Sequence, residues 1–246
     1  TKKSLTISGI TVIDKIYDGT NSATLNSASP SLVGIIVGDN VTLSGSATSG
    51  TFNNKNVGTN KTVTADLSNL SLTGSKSNNY EISTVDSTLT ADITTANLGI
   101  IVNLTYNGTT SFSNITPTNS YGLQNSETLG NITFTINNKN VTSSNNYITS
   151  LSSVTGTATL SNYSINSSYS SDTNNTANNV ILSQESLVLT AKDTSKIYGE
   201  TYSPNLSNDL TISGLQNDET LTGITFSSTG YSSSSEVGTF TITISN

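Results

Sequence analysis

The chain has 246 residues, 16 acidic and nine basic side chains, and a formal net charge of −7; every basic residue is lysine, and Cys, His, Met and Trp are absent. Without Cys or His there are no disulfides and no soft-metal sites, and catalysis is left with carboxylates, lysine, serine or tyrosine. A net negative chain without arginine also lacks the cationic footprint of a nucleic-acid binder, and no apolar run reaches the length of a membrane span.

Charged residues make up 10% and hydrophobic residues 32%, a polar composition close to that of disordered chains. The apolar residues nevertheless alternate with Ser, Thr and Asn, the period-two pattern of strands with one buried and one wet face. In chain order the pattern appears at Leu5/Ile7, Val41/Leu43, Val63/Ala65/Leu67 and Leu70/Leu72. It continues at Ile132/Phe134/Ile136, Ala158/Leu160, Leu187/Leu189/Ala191 and Phe240/Ile242/Ile244. Breaks such as Asn53-Asn54 and Asn107-Gly108 supply turns. The stretch 98–104 alternates poorly. The only helical hint is a single turn at NSETL and NDETL, where Asn or Asp would cap and Glu follows. No signal peptide opens the chain, and Thr1-Lys2-Lys3 is expected to lie inside a longer polypeptide.

The chain repeats itself. Tyr106 is followed by GLQNSETL (122–129) and Ile132-Thr133-Phe134; Tyr198 is followed by GLQNDETL (214–221) and Ile224-Thr225-Phe226, each position 92 residues on. A looser copy starts at Tyr17 in YDGT, with GDNVTL (38–43) in the place of the GLQN run. A fixed period of this size marks an array of like modules. The expected fold is all-β: tandem mostly-β modules, each a small sandwich or β-grasp-like sheet, arranged as an elongated rod. The modules are placed at 1–94, 95–184 and 185–246, with linkers of a few residues. Aligning VTGTATLSNYSI (154–165) with VGTFTITISN (237–246) sets Asn246 opposite Asn162, so the third module is expected to lack its closing strand and to show an open edge.

Residues LTISGITVIDKIYDGTNSATL (5–25), GDNVTL, the NVG of Asn56 to Gly58 and the closing NYEI...LTADI resemble the YDG domain of filamentous-haemagglutinin-like adhesins. LVLTAKDTSKIYGETY, ISGLQNDETL and EVGTFTITIS are similar to the MBG domain of YGX type; 95–184 fits either family less well. The resemblance implies a repeated extracellular module of large secreted or surface-tethered bacterial adhesins, without enzyme activity, cofactor or metal. It implies neighbouring modules of the same polypeptide as partners, with extracellular polysaccharide or a host surface beyond them, and neither nucleic acid nor membrane insertion.

The structural motif residues are Tyr17, Asp18, Gly19, Tyr106, Gly108, Tyr198, Gly199, Gly122 and Gly214. Tyr17 is read as a core anchor with a paired hydroxyl, Asp18 as a turn cap, and Gly19 as a residue of positive φ; the competing reading is a sugar site. Asp14 and Asp18 flank Lys15, and Asp218 adjoins Glu219, but no DxDxDG-type calcium loop is present. A Lys–Asn isopeptide bond would need a buried Lys, a buried Asn and a neighbouring carboxylate, and no motif points to such a triad. The expected function is a non-catalytic stalk segment of an extracellular adhesin serving surface attachment or biofilm cohesion. The alternatives are a glycan-binding module and a filament subunit completed by strand donation.

Overall fold

The structure is a computed structural model that describes residues 1–27, 29–85, 87–141 and 145–245. It is nearly all β, and each sheet draws its strands from only one of the segments 1–94, 95–184 and 185–246. In the first segment Lys3–Ser8 lies between Tyr80–Val85, which runs parallel to it, and Ser31–Val33, which runs antiparallel. A second sheet has the order Thr11–Val12, Ser22–Asn26, Ser49–Phe52, Gly58–Ala65, Leu89–Thr94, Lys15–Ile16. Alternation puts Ile7 of the first sheet and Leu25, Phe52, Val63, Leu89 and Ile93 of the second into one core.

The second segment repeats this plan with a longer central strand. Gly99–Thr105 lies between antiparallel Asn119–Tyr121 and parallel Asn178–Ser183, and its first four residues are buried. Burial of four consecutive residues means that both faces of the strand are covered there, which is why 98–104 alternates poorly in sequence. Ser111–Ile115, Ile132–Ile136 and Ile148–Val154 form the other sheet, where Phe112 and Phe134 stack with centroids 5.5 Å apart. The pair Ala158/Leu160 is not a strand: it leads into a 3-10 turn at Leu160–Asn162. The buried apolar cluster runs without interruption from the first segment into the second.

Both segments close in the same way. The strand before the first tyrosine pairs in parallel with a late strand, Lys15–Ile16 with Leu89–Thr94 and Gly99–Thr105 with Asn178–Ser183. The tyrosine N–H then donates to the last residue of that late strand, Tyr17 to the Thr94 carbonyl at 2.8 Å and Tyr106 to the Ser183 carbonyl at 2.9 Å.

The third segment is open. Among the described residues Val188–Ala191 pairs only with Leu210–Ser213, and Thr225–Ser227 only with Thr243–Ser245. Its single buried apolar residue among the described ones is Leu210, while Phe240, Ile197 and Val237 are 38%, 71% and 90% exposed. The alternation at Phe240/Ile242/Ile244 yields a strand only over Thr243–Ser245 among the described residues. Asn246, aligned in sequence with Asn162, lies outside the described residues.

The helical hint at NSETL and NDETL is corrected. Asn125 and Ser126, like Asn217 and Asp218, have positive φ and form the centre of a tight β-turn closed by Glu127 N–H to Gln124 O at 2.9 Å and Glu219 N–H to Gln216 O at 3.0 Å. Two consecutive left-handed residues terminate a right-handed helix before it starts, and Asn and Asp tolerate that region best. Among the described residues the one α-helical turn lies elsewhere, at Leu206–Asp209, capped by Asn205.

With so little apolar surface withdrawn from water, the third segment has the least to oppose its chain entropy. In native-state hydrogen exchange its amides are expected to exchange first, at lower denaturant than those of Gly99–Thr105 or Ile132–Ile136. Equal protection across the three segments would contradict this.

Candidate functional site

The repeated tyrosines and GLQN runs meet each other across the segment boundaries. Tyr17 at the end of the first segment is buried, and its hydroxyl donates to Glu127 Oε1 of the second at 2.6 Å. Lys55 Nζ reaches the same oxygen at 2.7 Å, and Tyr163 donates to Oε2 at 2.7 Å. One carboxylate, whose side chain is only 6% exposed, thus accepts three charge-assisted bonds from two segments. The Tyr17 and Tyr163 rings meet edge to face at 5.5 Å, and Lys55 lies over the Tyr17 ring.

The backbone fits as closely. Asn125 Nδ2 donates to the Gly19 carbonyl at 3.2 Å. Gly19 has φ +76, and a Cβ there would lie 2.4 Å from the Asn125 Cβ, so only glycine allows this approach. Asp18 stays within its own turn, accepting from the Thr20 N–H at 2.8 Å and pairing with Lys15. On the other side fully buried Asn162 accepts from the Val57 N–H at 2.9 Å and donates to Asn56 Oδ1 at 3.1 Å.

The second boundary is built from the same parts. Tyr106 donates to Glu219 Oε1, Lys139 stands 3.4 Å from that oxygen, and Asn217 Nδ2 donates to the Gly108 carbonyl at 3.1 Å. A Cβ on Gly108 would lie 2.8 Å from the Asn217 Cβ. Gly122 and Gly214, with φ +81 and +100, begin the two accepting loops. The third tyrosine corner has no such neighbour: Tyr198 is 61% exposed, and nothing stands within 4 Å of a Cβ on Gly199. Its glycine also follows the tyrosine directly, one position earlier than in the other two copies.

The run at 38–43 needs correction. The first segment's counterpart of GLQNSE is GIIVGD (34–39): Asp39 N–H donates to Ile36 O at 3.0 Å, as Glu127 does to Gln124. Tyr80 donates to Asp39 Oδ2 at 2.5 Å and accepts from the Ile36 N–H, as Tyr163 does with Glu127 and the Gln124 N–H. The position of Asn125 is taken by Val37, which is fully exposed.

The cationic partner escapes the tyrosine–GLQN comparison. Its signal is a second exact repeat, NNKNV at 53–57 and again at 137–141, with Lys55 and Lys139 at the centres. Lys61, which is buried, donates to Asn54 Oδ1 at 2.7 Å, but Asn54 is exposed and lacks the burial that an isopeptide bond requires. Among the described residues no group of three or more Asp and Glu stands together as a metal site.

Burial opposes ionisation of Glu127, but the Lys55 ammonium and the Tyr17 and Tyr163 hydroxyls outweigh it and hold its pKa below the usual carboxylate range. Burial, then the bond to Glu127, pushes the Tyr17 phenol up. At the second joint the Tyr106 hydroxyl, then Lys139, holds Glu219 down. What this arrangement does chemically is to clamp: an acceptor shared between segments resists their separation.

Residues 1–91 match the YDG domain family, and residues 187–246 match the MBG domain (YGX type). No curated protein and no solved structure matches the chain.

A double-mutant cycle on Tyr17→Phe and Glu127→Gln, read by denaturant unfolding, is expected to return a coupling of about 1.5–3 kcal/mol, the range for bonds to a charged group. The folded pKa of Glu127 lies below its unfolded value. Its contribution is therefore complete above the ordinary carboxylate pKa of about 4.3 and is lost as pH falls through that value and then the lower folded one. The coupling should shrink over that interval; a pH-independent coupling would contradict the clamp.

Proposed function

We propose that the chain is a non-catalytic, tension-carrying stretch of a repeat-built extracellular bacterial protein of the adhesin kind, secreted or displayed on the cell surface. The observation that carries this reading is the duplicated joint: Tyr17, Lys55 and Glu127 at one boundary, Tyr106, Lys139 and Glu219 at the next. An array of stacked modules needs the same connection at each boundary, and that is what the two joints supply. The two family matches support the extracellular and adhesin-like part of the reading, since YDG and MBG domains are associated with such proteins.

Two further features support an extended, mechanically coupled arrangement. The accessible surface is 13878 Å², against about 10,400 Å² for a compact monomer of 25.6 kDa. One residue separates Leu89–Thr94 from Ala96–Asn97, and four separate Asn178–Ser183 from Val188–Ala191, so the connectors leave little slack. Tension along the chain would load the parallel strand pairs and the carboxylate clamps together. Five of the tyrosines that a glycan site could use, Tyr17, Tyr80, Tyr106, Tyr163 and Tyr202, instead donate to carboxylates of the fold.

Small-angle scattering and a glycan array test this reading. A compact globule of this length has a radius of gyration near ~18 Å. The spacer reading expects a clearly larger value that persists at neutral pH, with no glycan retained. A value near ~18 Å, or saturable binding of one glycan class, would overturn it.

A further inference from the structure

We propose that Asn107 is a site of self-modification: with loss of ammonia and uptake of water it becomes the aspartate that the first tyrosine corner already carries. Asn-Gly occurs once in the chain, at Asn107-Gly108, and Asp-Gly once, at Asp18-Gly19. The two dipeptides hold the same place, in YNGT and YDGT, each directly after the tyrosine that donates across a joint. The Asn107 side chain folds onto its own backbone, Oδ1 accepting from the Thr109 N–H at 3.2 Å. Asn54, Asn138, Asn166 and Asn174 make the same turn, each accepting from the N–H two residues on. They are followed by Lys55, Lys139, Ser167 and Asn175, whereas Asn107 has glycine next, with no side chain to crowd its nitrogen.

That nitrogen is the attacking group. The Gly108 N–H has no acceptor among the described residues, and the turn holds it beside the Asn107 side chain, so the step is intramolecular. The Gly108 nitrogen gives up its proton and bonds to Asn107 Cγ, while negative charge develops on Oδ1, where the Thr109 N–H already donates. The side-chain amide then takes a proton and leaves as ammonia, which closes a cyclic imide. Water opens the ring in one of two ways. Attack at Cγ breaks the new bond and leaves aspartate on an unchanged backbone. Attack at the main-chain carbonyl breaks the original peptide bond and routes the chain through Cβ, as isoaspartate, one carbon longer ahead of Gly108. The joint discriminates between these products. The Gly108 carbonyl receives Asn217 Nδ2 at 3.1 Å, and even a Cβ on Gly108 would lie 2.8 Å from the Asn217 Cβ, so a displaced backbone has no room. Aspartate does fit: Asp18 takes the Thr20 N–H at 2.8 Å beside a glycine seated in the same way on Asn125. The inference concerns the chemistry of the second joint and is independent of any role in adhesion.

The test ages the full chain in mildly alkaline buffer and locates each product by mass spectrometry, with fragmentation that separates aspartate from isoaspartate. Asn107 is expected to convert at least about tenfold faster than Asn54, Asn138, Asn166 or Asn174, a gap of about 1.4 kcal/mol in barrier. Hydroxylamine, which traps the imide, should cut the folded chain between Asn107 and Gly108. Aspartate should exceed isoaspartate in the folded chain, and the ratio should reverse in a synthetic peptide of residues 102–113, where no joint restrains the backbone. Conversion of Asn107 no faster than at the other four asparagines, or the absence of a hydroxylamine cut, would overturn the proposal. So would the same product ratio in chain and peptide.

Discussion

The carboxylate of Glu127 is withdrawn from water, and a buried charge is tolerated only when it is paired and fully hydrogen-bonded. Its partners come from two stretches of chain more than a hundred residues apart: Tyr17 and Lys55 on one side, its own segment's Tyr163 on the other. Pulling the segments apart would strand the charge, so the joint holds by the cost of breaking it more than by the net value of its bonds. The close seat of Gly19 against Asn125, and the clasp of Asn162 on Asn56 and Val57, then fix the orientation in which the charge is satisfied. The core that runs on from the first segment into the second belongs to the same constraint.

The second boundary shows the rule with a looser execution. Glu219 keeps its tyrosine and its lysine, but the lysine stands at 3.4 Å, and the carboxylate side chain is 30% exposed where that of Glu127 is 6%. Among the described residues of the third segment, no second tyrosine donates to Glu219 as Tyr163 does to Glu127. Closure of a segment and strength of the joint it offers are thus linked through one side chain.

Much of this architecture was legible in the residues. Alternation at Leu5/Ile7 and Ile132/Phe134/Ile136 marks strands whose inward residues are buried. The offset of 92 residues exposes the tyrosines and loops that meet at the joints. What could not be read was who meets whom, because Tyr17 and Glu127 are 110 residues apart and no local pattern pairs them. The lysines were readable through the NNKNV repeat, which the tyrosine–GLQN comparison passes over. The turn at Asn125-Ser126 was misread as helical, because an Asn before an acidic residue also suits a helix cap. In the third segment alternation names a face but not a neighbour, so Phe240 and Ile242 lie in a strand-like sequence without a full strand.

The central claim, that one shared carboxylate fixes the angle between segments, can be measured in solution because the chain has no cysteine of its own. Nitroxides placed through Ser68→Cys and Ser153→Cys, both exposed and on opposite sides of the first boundary, report the distance between the two segments by pulsed electron–electron resonance. The account predicts a single narrow distance distribution at neutral pH that broadens when Glu127 is replaced by Gln. A distribution already broad with Glu127 in place, or one that stays equally narrow in the Glu127→Gln chain, would contradict it.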